Sequence, residues 1–154
     1  LPNVKVLLVT EEGQQTIHAS NYFAGKTVAI FAMPGAFTAT CSNSHLPNVI
    51  SHKRELNAKG VDEVAIMVVN DSFVVREWAK VSGAFSAGLT MIADAGSDFT
   101  TAMGMNFTAR VTGLHERSQR YALLSRDGTV SKLLIEEARG QVLSSGANHL
   151  LKQI

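Results

Sequence analysis

Hydrophobic residues along the chain follow two rhythms, and the switch between them marks out the elements. Residues 4–10 are rich in aliphatic and β-branched side chains and predict a strand. Glu11-Glu12-Gly13 turns it, and residues 15–18 predict its hairpin partner. Residues 27–33 and 63–69 are nearly unbroken apolar runs, the pattern of strands buried on both faces. Pro34-Gly35 ends the first run. Between the two, Leu46, Val49, Ile50 and Leu56 share one stripe of a helix over residues 41–59, with Gly60 placed to close it. Pro47 lies inside that helix, which predicts a kink or a distorted first turn.

Asn70-Asp71-Ser72 offers an N-cap for a helix over residues 73–81. Residues 89–93 read as a short strand, and Asp98 is placed to cap a helix over 99–103. Residues 121–125 and 129–135 flank Arg126-Asp127-Gly128, and an Asp-Gly pair between two apolar runs is a strong hairpin signal. Residues 147–154 close the chain as a helix. The predicted order is β-β-β-α-β-α-β-α-β-β-α. Its alternating middle implies parallel strands joined by crossover helices, and its last hairpin implies an antiparallel edge. The expected fold class is α/β, a mixed central sheet flanked by helices with an N-terminal β-hairpin, in a single domain over residues 1–154. No repeat, low-complexity tract or linker interrupts it.

Composition narrows the function classes. Apolar residues make up 45% and charged residues 18%, a globular balance rather than a disordered one. Fourteen Lys and Arg against 13 Asp and Glu give a net charge of +1, without the basic excess of a general nucleic-acid binder. The longest apolar runs, 28–33 and 64–69, fall far short of the roughly 18 residues of a membrane helix, so no bilayer span is expected. Cys41 is the only cysteine. That excludes an intramolecular disulfide and any multi-cysteine zinc or iron–sulfur site. It points to a reducing intracellular compartment, the cytoplasm or an organelle. No positively charged, apolar leader opens the sequence, and with Leu1 first, a removed transit segment and a trimmed N-terminus look the same.

Residues 31–45 carry the chemistry: Phe-Ala-Met-Pro-Gly-Ala-Phe-Thr-Ala-Thr-Cys-Ser-Asn-Ser-His. A buried strand ends, a short loop follows, and Cys41 opens a helix. In open α/β sheets, ligands bind in the crevice beyond the carboxyl ends of the strands. Unpaired N–H groups and the dipole at a helix start favour an anion, and a thiolate is one. An ordinary thiol, with a pKa of about 8.5, is only about 3% ionised at pH 7. Helix N-termini and nearby cations bring thiols in general down to about 3.5–7.5, so complete ionisation gains only about 30-fold. A larger acceleration has to come from orienting the electrophile and stabilising its leaving group. The alternative is a Cys41 that merely fills space, as buried free cysteines often do.

Thr38 lies one turn before Cys41, and Pro34 four residues before that, which completes Pro34-x-x-x-Thr38-x-x-Cys41. This spacing resembles the peroxiredoxin active-site motif. The wider Pro-Gly-Ala-Phe-Thr-x-x-Cys-Ser-x-x-His-Leu-Pro resembles the type II, or peroxiredoxin-5-like, branch. Similar segments follow at Ala58-Lys59-Gly60-Val61, at Val69-Asn70-Asp71-Ser72-Phe73-Val74 with Trp78, at residues 117–124 and at Asp127-Gly128. The resemblance covers most of the chain. It implies a thioredoxin-like fold and a thiol peroxidase that reduces hydrogen peroxide and small organic hydroperoxides. By motif position, Cys41 would be the peroxidatic cysteine, passing through a sulfenic acid. Thr38 would hydrogen-bond the peroxide, and Pro34 would shield the site. Arg120 matches the family's active-site arginine and would stabilise the thiolate and the developing charge. Substrate contacts are thus expected at Pro34, Thr38, Cys41 and Arg120, with no cofactor and no metal. The residues alone do not choose between Arg117 and Arg120, although Arg120 abuts the apolar strand.

Ala39 stands where this family usually has proline. A proline there would restrict Thr38 to extended conformations, so Ala39 predicts a functional but less preorganised loop. Many relatives resolve the sulfenic acid with a second cysteine, which this sequence lacks. The resolving thiol is then external: glutathione with glutaredoxin, the usual expectation for one-cysteine members, or thioredoxin. The resemblance also implies a homodimer packing near the active-site loops, with Trp78 either against a partner or in the core. The rival function is a redox sensor or holdase chaperone that uses Cys41 oxidation without significant turnover. His45, one turn after Cys41, is either a base for the cysteine or a support for the first turn. It lies roughly 10 Å along the helix from His52, too far for the two to chelate one zinc.

Overall fold

The two apolar runs become neighbouring parallel strands, β3 (Thr27–Met33) and β4 (Glu63–Val68), with Val28 opposite Glu63 and Met33 opposite Val68. They sit at the centre of a seven-stranded mixed sheet in a computed structural model that describes all 154 residues. The other members are β1 (Lys5–Val9), β2 (Gln14–His18), β5 (Thr90–Ala93), β8 (Tyr121–Arg126) and β9 (Thr129–Ile135). The strand order is β2-β1-β5-β4-β3-β8-β9. Only β3, β4 and β5 run parallel, and every other pairing is antiparallel. The expected hairpins are both present. In the second, Asp127 and Gly128 take φ values of 46° and 75°, the left-handed pair that a two-residue turn requires.

Alternation along β3 builds two cores. Ala29, Phe31 and Met33 face one side of the sheet, with Leu46, Trp78 and Leu150. Val28, Ile30 and Ala32 face the other, with Phe23, Phe99 and Tyr121. The first side is covered by α2 (Leu46–Ala58), α3 (Ser72–Val81) and α5 (Ala147–Leu150), the second by α1 (Ala19–Tyr22) and α4 (Asp98–Ala102). Trp78 is 1% exposed within the chain, and its Nε1 donates to Ser42 Oγ at 3.0 Å. Core packing, not a partner surface, is where this residue goes.

Four local features differ from the sequence expectations. The helix expected over residues 41–59 begins as a wide π-turn, Cys41–His45, in which the Leu46 N–H reaches back to the Cys41 carbonyl. Pro47 explains this. It has no N–H to donate into the preceding turn, and it sits in the first turn of α2, where that loss is tolerated. Asp98 does not cap α4. The buried Asp94 does, with one carboxylate oxygen accepting from the Phe99 N–H at 3.0 Å and the other from the Thr100 N–H at 2.8 Å. The expected C-terminal helix is α5 followed by a 3₁₀ turn, Leu151–Gln153. Finally, β6 (Asn106–Ala109) and β7 (Leu114–Ser118) form a separate two-stranded ribbon that carries Arg117.

Candidate active site

The carboxyl end of β3 delivers the chain into a loop held from three directions. The Ala36 N–H donates to Asn70 Oδ1 at 2.8 Å. Arg117 Nη1 donates to the Pro34 carbonyl at 3.1 Å. Thr38 Oγ1 donates to the Gly35 carbonyl at 2.8 Å. Glycine at 35 leaves room for Arg117 Nη1, which a Cβ there would displace, and such a Cβ would lie 3.2 Å from Asn70 Oδ1. The following residue but one, Phe37, takes φ 61° and leaves its ring 56% exposed. Thr38 then accepts the Ser42 N–H on its carbonyl at 3.0 Å, which starts the helical path through Cys41.

Ala39 is exposed in the first turn of that path, where a missing N–H costs little. Ala39→Pro is therefore expected to hold or raise the rate of Cys41 oxidation and to stabilise the fold by about 0.5 kcal/mol. Stopped-flow kinetics and thermal unfolding check this, and a large loss of rate in a well-folded variant would refute it.

The Cys41 side chain is completely buried. Arg120, at the start of β8, directs its guanidinium at three different acceptors. Nη2 donates to Cys41 Sγ at 3.4 Å, Nη1 to His45 Nδ1 at 3.0 Å, and Nε to the Arg139 carbonyl at 3.0 Å. The orientation of His45 follows from its other neighbour, the Ser145 carbonyl, 2.9 Å from Nε2. A carbonyl only accepts, so Nε2 carries the proton and Nδ1 presents its lone pair to Arg120. The ring is packed edge-on against Phe31, with centroids 5.9 Å apart. Burial, reinforced by the Arg120 charge, pushes the imidazole down to about 4, so it is neutral near pH 7. Both ring nitrogens are occupied by Arg120 and Ser145. Of the two sequence readings of His45, support of the turn fits this geometry, and a base for Cys41 does not.

Arg120 is only 2% exposed, and the ion pairs of the chain, Lys26–Glu63 and Lys80–Glu77, lie elsewhere. No carboxylate forms an ion pair with it. A buried cation held by neutral acceptors is costly unless an anion joins it, and the sulfur is the adjacent group able to become one. Arg117, on β7, grips the Pro34 carbonyl of the loop, and Arg120 contacts the sulfur. Pro34, Thr38, Ala39, Arg120 and Arg139 line a cavity of about 190 Å³ that opens to solvent. A wider groove beside it shares Thr38 and Arg139 and has an apolar wall of Ala109, Val111 and Leu114. Pro34, Thr38 and Arg120 thus line one opening, and Cys41 lies buried behind it with its Sγ on Arg120 Nη2. The backbone carbonyls of Arg139 and Ser145 complete the arrangement, and no side-chain pattern in the sequence announces them.

The Redoxin family profile matches residues 1–151. The chain is 42% identical over 142 residues to "Peroxiredoxin-2E-2, chloroplastic" of Oryza sativa subsp. japonica, covering 91% of this chain and 63% of that protein. It thus spans less than two thirds of that relative's length. "Peroxiredoxin-2C" of the same organism is 40% identical over 144 residues, covering 94% of this chain and 88% of that protein. Among solved structures, reduced Prx3 of Vibrio vulnificus in complex with hydrogen peroxide superposes with a TM-score of 0.90 at 40% identity, over 99% of this chain and 94% of that one.

Proposed function

The chain belongs to the Redoxin family and, within it, to the peroxiredoxins, and from that membership we propose that it is a thiol peroxidase acting through Cys41 on hydrogen peroxide and small organic hydroperoxides. The observation that carries this reading is the buried, carboxylate-free Arg120 with Nη2 on Cys41 Sγ. A cation so placed can meet the negative charge that develops as the sulfur reacts. The sulfur attacks the terminal oxygen of the peroxide, an S–O bond forms and the O–O bond breaks. Negative charge moves onto the departing oxygen, which leaves as water or an alcohol after taking a proton from solvent. Arg120, pinned by His45 and the Arg139 carbonyl, is already in place for that charge and needs no reorganisation. Thr38 spends its own proton on Gly35, so its oxygen is free to accept the peroxide O–H and hold it in line. Pro34 roofs the cavity. The adjoining apolar wall of Ala109, Val111 and Leu114 gives a small alkyl group somewhere to lie.

Return to the thiol needs two equivalents of an external thiol, because Cys41 is the only cysteine. The first forms a mixed disulfide with Cys41 and releases water, and the second displaces it. Glutathione with glutaredoxin is the favoured source, with thioredoxin as the alternative. A homodimer is supported by the exposed Phe37 and Val111, two large apolar side chains close to the cavity.

The test is stopped-flow mixing of reduced protein with hydrogen peroxide, following free thiol and the fluorescence of Trp78, which touches the Cys41 turn through Ser42. Oxidation orders of magnitude faster than a free thiol is expected, with Thr38→Val slower and no reaction in Cys41→Ser. Oxidation at the rate of an ordinary thiol would end the enzyme reading. Turnover with glutathione and glutaredoxin, compared with thioredoxin, then identifies the reductant.

A further inference from the structure

A second charged group, Glu136, lies behind the site. Tyr121 pairs with Ile135 in the β8–β9 ladder, so Arg120 and Glu136 form the next rung, and the Glu136 N–H donates to the Arg120 carbonyl at 2.9 Å. Opposite charges facing each other on one rung would ordinarily pair across the ladder. Here they do not. The Glu136 carboxylate, 7% exposed, is taken by three consecutive amides of the segment that follows. Its Oε2 accepts from the Leu143 N–H at 2.8 Å, the Ser145 N–H at 3.0 Å and the Ser145 hydroxyl at 2.8 Å, and its Oε1 accepts from the Ser144 N–H at 3.3 Å. These bonds hold the carboxylate below its ordinary range against the opposing effect of burial.

The same segment turns its carbonyls the other way. The Arg139 carbonyl accepts from Arg120 Nε, and the Ser145 carbonyl accepts from His45 Nε2. Residues 139–145 are thus a polarised spacer between the two charges, with N–H groups on the anion and C=O groups on the cation and its imidazole. Each end favours the same orientation of the peptide dipoles. We propose that Glu136 is a positioning residue for peroxide reduction: by fixing the Ser145 backbone it sets the tautomer of His45, and through His45 the aim of Arg120 at Cys41. The chain of contacts runs Glu136, Ser145, His45, Arg120, Cys41, with every link between 2.8 and 3.4 Å. This builds on the peroxidase reading and adds to it the group that keeps the guanidinium on the sulfur.

The test compares Glu136→Ala, Glu136→Gln and Glu136→Asp with the parent chain by stopped-flow oxidation and by ¹⁵N chemical shifts of the His45 ring. Glutamine keeps one acceptor oxygen for the three donors that converge on Oε2, whereas alanine keeps none. Glu136→Ala is expected to slow oxidation about 10- to 100-fold and to mix the His45 tautomers, while Glu136→Gln stays within about threefold and retains the Nε2–H form. Should the alanine variant not fold, Glu136→Asp, whose carboxylate is withdrawn by one methylene, is expected to show the same two changes in smaller degree. A folded alanine or aspartate variant with the parental rate and tautomer would overturn the proposal. So would alanine and glutamine variants slowed equally with the tautomer unchanged, which is the mark of a merely structural loss. The tautomer readout needs no peroxide, so it separates failure of this relay from failure of the peroxidase reading.

Discussion

Replacing Arg120 by methionine is expected to slow Cys41 oxidation by about 10²- to 10³-fold while leaving a folded protein. The kinetic loss follows from geometry. Arg120 Nη2 is the cationic donor at 3.4 Å from the sulfur, and no other charged side chain contacts it. The effect on stability is a contest. Removing a buried cation that has no carboxylate partner is neutral or favourable when an apolar side chain of similar volume replaces it. Against this, His45 Nδ1 and the Arg139 carbonyl lose their donor, at about 1–3 kcal/mol for each group left dry. The two largely offset, so the expected result is a rate defect far larger than any thermal shift. Arg120→Lys should fall between the parent and Arg120→Met, since an ammonium supplies the charge but cannot reach three acceptors in one plane. Stopped-flow oxidation beside thermal unfolding checks all of this. A methionine variant within threefold of the parent would show that the guanidinium is structural.

Stability should fall as the solution is acidified from about pH 6.5 to about pH 4. His45 is held down to about 4 by burial and then by Arg120, whereas in the unfolded chain it titrates near 6.5. Between those values the unfolded state binds the extra proton and the native state does not. Stability therefore rises with pH through this window, is complete above it, and is lost on the way down. The gap corresponds to on the order of 3 kcal/mol, a large share of an ordinary domain's stability. Glu136, also depressed, continues the loss below its unfolded value of about 4.5 as its amide contacts are given up. Chemical denaturation at several pH values measures the slope. His45→Gln, which has no proton to take up, should flatten it between pH 6.5 and 4. An equally steep slope in that variant would assign the acid sensitivity to another group.

Much of the fold could be read along the chain because its signals are contiguous. Residues 27–33 and 63–69 are runs that only a strand buried on both faces needs, and Asp127-Gly128 states its own turn. The cysteine, threonine and proline were equally plain, being packed into eight residues. What escaped depends on groups far apart or without a side chain. Arg120 and His45 are 75 residues apart, and His45 and Ser145 are 100 apart. His45 was visible as a neighbour of Cys41, but its two partners decide its role and neither lies in that segment. The α4 cap went to Asp94 rather than Asp98 because a left-handed Ser97 swings the chain back over the strand end. The β6–β7 ribbon has few apolar residues and a register shift between Phe107 and Ala109, so neither period shows in its sequence.

The depth of the sulfur gives the reaction a direction in time. Cys41 has no exposed surface, and its partner Arg120 lines a cavity of about 190 Å³ that opens to solvent. Two oxygen atoms pass such an opening, but the cysteine of a folded protein does not. On the proposed peroxidase reading, oxidation would occur in this closed state, and a protein reductant would have to wait until the wide turn at Cys41–His45 opens. That turn closes wider hydrogen-bonded rings than an α-helix does, and Pro47 just beyond it has no N–H to donate inward. Its rate of opening would then set a ceiling on turnover that no excess of reductant lifts. With peroxide arriving faster than the turn could open, the oxidised form would accumulate, and the protein would then store a record of the encounter.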